Sequence, residues 1–330
     1  MSGGLDVDAH VRGVLSDDRA ALGRAITLVE SSLPEDRDAA QELLVRLLPR
    51  TGGSVRVGIS GAPGVGKSTF IEALGTRLTA EGRSVAVLAV DPSSERSGGS
   101  ILGDKTRMAR LAREPLAFIR PSPAAGAAGG IARATRDVLL LCEAAGYDVV
   151  LVETVGVGQG ETAVAAMVDT FLLLLLAGAG DGLQGIKRGI LELADLLAVT
   201  KADGENVAAA ERARAVLASS LRLSRPRHPE WSPEACAISA RDGVGIDALW
   251  ERVLAHRAAL SATGALEAQR RGQAVGWMWR AVDADLQRAL RAHPASRDVA
   301  AKLEDDVREG RTTPSLAAGR ILSAFVSTRR

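Results

Sequence analysis

The sequence predicts an α/β fold, with a mainly parallel, doubly wound sheet and helical N-terminal and C-terminal extensions. Three observations carry this. Seven short apolar runs lie at 55–60, 85–91, 116–120, 148–153, 170–177, 196–201 and 235–239, with helical patterns between most of them. Strands alternating with helices need right-handed crossovers, and these build a mainly parallel sheet covered on both faces. The first run leads into "GAPGVGKST" (61–69), a glycine-rich turn before a helix-forming stretch, which is the context of a P-loop NTPase. Both ends of the chain instead repeat apolar residues at helical spacing.

At the N-terminus, Val11, Leu15, Leu22, Ile26 and Val29 recur at that spacing, and Leu43, Leu44, Leu47 and Leu48 do so again. Pro34 separates the two segments and "PRTGGS" (49–54) ends them. The most apolar run, "TFLLLLLAGAG" (170–180), is too short to span a bilayer and fits a central strand buried on both faces. "SPAAGAAGGIA" (122–132) reads as a loop leading into a helix. From about residue 261 the chain turns helical. One stripe holds Val275, Trp279, Val282, Leu286 and Leu290, and a second holds Leu316, Ile321, Leu322, Phe325 and Val326. The expected division is an N-terminal helical extension at 1–52, a nucleotide-binding domain at 53–262 and a C-terminal helical arm at 263–330.

Composition narrows the partners. The 330 residues are 46% hydrophobic and 25% charged with net charge +1, which gives no reason to expect nucleic acid or a membrane surface. An aromatic content of 3% argues against base-stacking platforms. Two cysteines, Cys142 and Cys236, do not amount to a disulfide framework and point to a reducing compartment. The N-terminus lacks a signal-type apolar core, so a soluble, cytoplasmic protein is expected.

The polar motifs begin where strands end, the ligand side of such sheets. In the phosphate loop, Gly61, Gly64, Val65 and Gly66 let the backbone wrap an anion with N–H groups inward. The helix starting at Lys67, Ser68 and Thr69 adds its positive end. Lys67 is expected to reach the outer phosphates and Ser68 to ligate Mg2+. "LLAVTKAD" (196–203) then ends in Thr200, Lys201 and Asp203. A carboxylate at Asp203 accepts from the ring N1–H and exocyclic amine of guanine, a donor pair that adenine lacks. The Lys201 stem packs on the base plane. Thr200 stands where Asn is commoner, and its hydroxyl is able to tie this loop to the phosphate loop. Ser239, Ala240 and Arg241 of "SARDG" supply a backbone N–H for the guanine carbonyl. The bound nucleotide is therefore GTP or GDP.

Three further loops belong to the same side. Asp91 ends the second strand and faces the phosphates; Asp104 and Lys105 follow on a Ser- and Gly-rich segment. Glu153 ends an apolar strand, where an unpaired carboxylate is costly and a metal, or water beside it, resolves the cost. Gly156 is placed to follow the γ-phosphate through its N–H. Asp181, Gln184 and Lys187 mark a third loop, for which helix capping is the alternative. Asp91, Asp104 and Glu153 with Ser68 are thus the candidate metal residues, and Lys67 joins the three carboxylates as the candidate catalytic set. Arg107 is the one candidate for an arginine finger within the chain.

The motifs "VDPSS", "GGSILGDKTRM", "ETVGVGQGE", "GAGDGLQGIKRGI" and "TKADG" together resemble the methylmalonyl-CoA mutase-associated GTPases of the MeaB/ArgK type, among the metallochaperone-like P-loop GTPases. The resemblance covers most of residues 55–205. It implies a GTPase that binds an adenosylcobalamin-dependent acyl-CoA mutase, gates cofactor loading and protects the mutase. It further implies a homodimer through the C-terminal helices, and places Gln184 and Lys187 in the element that couples nucleotide state to the partner. Besides a nucleotide-stabilised scaffold, against which the intact Lys67, Ser68 and Glu153 set argues, two other readings stay open. One is a small-molecule, amino-acid-type kinase. The other is a metal-insertion GTPase, against which His10, His228, His256 and His293 form no cluster in sequence.

Overall fold

The computed structural model describes residues 6–16, 18–31, 33–90, 107–122, 128–154, 160–177, 188–222 and 226–327. Contacts divide the chain into two compact units, Met1–Gln273 and Ala274–Arg330.

The first unit opens with α1 (Val7–Val14), α2 (Arg19–Glu30) and α3 (Pro34–Leu47). Asp6 and Asp18 cap α1 and α2, accepting from the N–H groups of Ala9 and Ala20 at 2.9 and 2.8 Å. Leu22, Ala25, Ile26, Leu43 and Leu47 are buried, as their helical spacing requires. Arg19 donates to the carbonyls of Glu114, Pro115 and Ala117, and Glu30 pairs with Arg120, so α2 is stitched to the β3 edge of the sheet.

All seven expected strands are present among the described residues: β1 (Val55–Gly61), β2 (Val85–Val90), β3 (Ala117–Ser122), β4 (Val149–Thr154), β5 (Thr170–Leu176), β6 (Leu196–Thr200) and β7 (Glu234–Ala237). They form one sheet in the order β3-β2-β4-β1-β5-β6-β7. Every pairing is parallel. The chain builds one way from β1 and then the other, so β1 lies at the switch point where such sheets bind ligands. The connecting helices are α4 (Lys67–Ala80), α5 (Ala128–Ala144), α6 (Gly160–Ala165), α7 (Arg188–Leu191), α8 (Val207–Leu221) and α9 (Ile246–Thr263). Ile59, Phe70, Ile71, Leu74, Leu151, Leu172 and Leu174 fill the core beneath the phosphate loop. Each large apolar side chain buried there stabilises the fold by about 1.5–3 kcal/mol.

The amino ends of the strands are closed by charge. Arg56 Nε and Nη2 donate to the two oxygens of Glu143 at 2.8 and 2.6 Å. Arg270 Nε and Nη2 donate to Asp169 at 2.8 and 2.6 Å. Arg270 sits in the first turns of α10 (Ala265–Ala292) and also donates to the carbonyls of Gly52 and Ser54. Gln269 and Gln273 donate to the Val168 carbonyl at 3.1 and 2.8 Å. The boundary between the units falls within α10.

In the second unit, α11 (Pro294–Arg308) and α12 (Pro314–Ser327) pack on each other, with His293 edge-on to Phe325 at 5.3 Å. The expected stripe on α10 is helical, but Val275, Trp279, Val282 and Leu286 are exposed, whereas Trp277 is buried. No helix among the described residues is long and apolar enough to cross a membrane.

Candidate nucleotide site

The β1–α4 turn is shaped by its glycines. A Cβ on Gly61, at φ +153°, would come within 2.5 Å of the Leu174 carbonyl oxygen on β5. Gly66 is the N-cap of α4 at φ 101°, and no side chain caps the helix. Its first-turn N–H groups therefore face outward as an anion site with the positive end of the helix dipole behind them.

Lys67 opens α4 and is 8% exposed. Its Nζ donates to the carbonyls of Gly61 at 2.8 Å and Ala62 at 3.3 Å, folding the side chain along the loop. Burial lowers its pKa; the carboxylates of Glu153 and Glu161 oppose this, and Arg107 adds to it. Next to it, Ser68 Oγ donates to Glu153 Oε1 at 3.1 Å across 85 residues of sequence. Glu153 is the penultimate residue of β4 and is buried. Behind it, Thr154 Oγ1 donates to Ser60 Oγ at 3.0 Å, locking the end of β4 to β1. Glu161 had no assigned role in the sequence reading. It is buried in the first turn of α6, and its charge acts on Lys67. Its only sequence signal is an acidic residue directly after "VGVGQG".

The base loop is tied to this turn. Thr200, at the end of β6, donates its hydroxyl to the Val65 carbonyl at 2.7 Å, with the Leu175 carbonyl at 3.1 Å on the other side. Lys201 follows in the left-handed region, φ 56°, the one non-glycine residue there among the described residues. A non-glycine side chain in that region carries strain that surrounding contacts must hold. The Ala202 N–H donates to the Ile238 carbonyl at 3.0 Å, pinning this loop against the one after β7. Ser239 Oγ donates to Asp203 Oδ2 at 2.8 Å and accepts from the Asp242 N–H at 3.1 Å. Arg241 Nη2 lies 3.1 Å from Asp203 Oδ1. Ala240 is half-buried between them. The structure thus gathers Gly61, Gly64, Val65, Gly66, Lys67, Ser68, Thr69 and Glu153 at one turn. It links them through Thr200 to Lys201, Asp203, Ser239, Ala240 and Arg241. Asp91, Asp104, Lys105, Gly156, Asp181, Gln184 and Lys187 lie outside the described residues.

A family model described as "Methylmalonyl Co-A mutase-associated GTPase MeaB" matches residues 22–295. The chain belongs to this family. It is a P-loop GTPase, a GTP hydrolase. A probable GTPase of Mycobacterium tuberculosis is 57% identical over 325 residues, covering 98% of this chain and 96% of that protein. The mouse methylmalonic aciduria type A homolog, mitochondrial, is 47% identical over 331 residues, covering 97% of this chain and 80% of that one. A solved structure named LAO/AO transport system kinase superposes with a TM-score of 0.77 at 38% identity, covering 97% of both chains.

Proposed function

We propose that this GTPase is the nucleotide-driven chaperone of an adenosylcobalamin-dependent acyl-CoA mutase such as methylmalonyl-CoA mutase, gating cofactor loading and protecting the mutase from inactivation. The observation that carries the hydrolytic half is the Ser68–Glu153 hydrogen bond beside Lys67. It joins two oxygen donors at the mouth of an uncapped helix. A hydroxyl and a carboxylate suit a hard cation, so these two side chains would hold Mg2+, which neutralises charge on the phosphate oxygens when bound. Lys67 adds fixed positive charge at the outer phosphates. Glu153 orders the water that attacks, directly or beside the ion. Asp91 and Asp104 belong to the same network by sequence. No covalent intermediate is needed, because positioning and charge stabilisation are sufficient for phosphoryl transfer to water.

Guanine selection rests on Asp203, aimed by Ser239, with Lys201 over the base and Ala240 offering its N–H. The chaperone half is supported by the family description and by the name of the mouse relative. The exposed apolar residues of α10, Val275, Trp279, Val282 and Leu286, support a homodimer through the C-terminal helices. A cytoplasmic location goes with this reading.

The deciding experiment measures GTP hydrolysis by the full-length chain with and without a candidate mutase. The mutase is expected to raise the rate of hydrolysis. Equal rates would remove the partner-gated switch. The name of the solved relative supports a kinase as the second reading. Labelled γ-phosphate appearing on a small metabolite, and not as free phosphate, would decide for it.

A further inference from the structure

We propose that Arg241 is an internal place-holder for the guanine edge, competing with the base for Asp203 and resting on Asp242. The inference rests on reading Asp203 as the guanine sensor. Guanine offers that sensor the N1–C2–N2 edge, a cyclic guanidine with two N–H donors on one carbon. The arginine side chain is the same fragment in open form, with five N–H donors and no acceptor.

The geometry around Asp203 fits this exchange. Its Oδ2 accepts from Ser239 Oγ at 2.8 Å, and its Oδ1 faces Arg241 Nη2 at 3.1 Å. Arg241 also grips its neighbour as a fork, donating from Nε to Asp242 Oδ1 at 2.9 Å and from Nη2 to Asp242 Oδ2 at 3.2 Å. The same nitrogen therefore donates to Asp242 and lies in ion-pair contact with Asp203. The Arg241 side chain is 67% exposed and that of Asp203 only 17%. An exposed ion pair contributes little, so Arg241 leaves Asp203 at small cost while keeping Asp242. Asp203 stays oriented by Ser239 throughout. Guanine then takes Oδ1 from Arg241. Adenine offers one amine donor beside a ring acceptor that repels the carboxylate, so it displaces Arg241 poorly. The device sharpens selection by making Asp203 answer best to a ligand that replaces the guanidinium.

The test is GDP and ADP binding to the full-length chain by calorimetry, for the parent, Arg241→Ala, Asp242→Ala, the double variant and Asp203→Asn. Arg241→Ala is expected to tighten GDP about two- to fivefold, the worth of an exposed pair, and to leave ADP unchanged. Asp242→Ala is expected to weaken GDP by a similar factor, because Arg241 then commits to Asp203. That effect should vanish in the double variant. Asp203→Asn is expected to erase the preference for GDP over ADP. If that preference survives, the base-site reading itself fails. If it is lost but Arg241→Ala leaves GDP unchanged or weaker, the place-holder alone is overturned. If GDP and ADP shift together in Arg241→Ala, Arg241 acts on phosphate charge, which also overturns it.

Discussion

The two ends of the sheet bury charge in different ways. At the amino ends, Arg56 with Glu143 and Arg270 with Asp169 form forked pairs that neutralise each other inside the fold. At the carboxyl ends, Lys67 is held by two backbone carbonyls, and Glu153 takes a serine hydroxyl. Neutral hydrogen-bond partners orient Lys67, and the charges of Glu153 and Glu161 act on it through space. Burial alone does not separate a structural charge from a functional one. The partner does.

The largest expected effect breaks the closed end. Asp169 is 0% exposed, and its two oxygens accept from Arg270. Arg270→Ala strands that carboxylate and is expected to cost about 3–5 kcal/mol of stability. Denaturant unfolding measures it, with nucleotide affinity of the folded protein as the control. A variant with parent stability, or one that stays folded but loses nucleotide, would erase the contrast between the ends.

The mirror experiment is Lys67→Ala. Single-turnover hydrolysis is expected to fall about 10²–10³-fold, the usual consequence of removing one charge-stabilising donor. The unfolding midpoint should fall by no more than the loss of two hydrogen bonds to backbone carbonyls, well short of the Arg270→Ala cost. A large drop in stability with a modest drop in rate would place Lys67 among the structural charges.

A third experiment sharpens the comparison at a place where the closed end lacks a fork. His256 is 0% exposed at the amino ends, sharing a hydrogen bond between Nδ1 and Thr170 Oγ1 at 2.8 Å. Its Nε2 is 3.7 Å from Asp195 Oδ1, and Arg227 is 3.7 Å from the other Asp195 oxygen. Burial pushes His256 down to about 4, helped by His228 and Arg227 and opposed by Asp169. Burial pushes Asp195 up to about 6, against Arg227 and the Phe171 N–H. The unfolded imidazole protonates near its ordinary 6.5, so the His256 contribution is full above that and is lost as pH falls towards 4. The folded Asp195 carboxyl protonates near 6 and the unfolded one near 3.8, so its contribution improves as pH falls between them. The two slopes oppose each other across the shared window and nearly cancel. His256→Asn removes one of them. The variant is expected to gain on the parent by up to about 1.4 kcal/mol per pH unit as pH falls from about 6.5 to about 4.5. Parallel denaturation curves would show that the folded protein protonates His256 freely, which a sealed end does not permit.

The carboxyl end was the more legible of the two in sequence, for a physical reason. A phosphate loop is one contiguous turn, and a buried parallel strand is one contiguous apolar run. "TFLLLLLA" at 170–177 became β5 at Thr170–Leu176 with hardly a change of boundary. Arg56 and Glu143 are 87 residues apart and Arg270 and Asp169 are 101 apart, with no period or motif to join them. Such pairs are set by topology after the strands have been ordered. Glu161 was missed for the same reason, since its burial depends on how α6 returns towards β1. On α10 the period was legible but the direction was not. Trp277 turns inward while Val275 and Trp279 on either side face out, because a helical repeat does not say which face finds a partner within the chain.

The smallest expected effect tests the bridge within the open end. Thr200 stands where an asparagine would offer two amide contacts, and a hydroxyl has a single proton to give. That proton goes to the Val65 carbonyl in the middle of the phosphate loop. Thr200→Val keeps the shape and removes the donor, leaving a carbonyl oxygen of a buried residue short of a partner. The expected loss is about 1 kcal/mol of stability, with a further weakening of GDP that ADP does not share. The difference between the two nucleotides is the informative quantity. If both weaken equally, Thr200 serves the phosphate loop alone. If GDP weakens more, the hydroxyl also holds Lys201 and Asp203 at the height where the base must meet them. The phosphate and base sites then act as one rigid cradle.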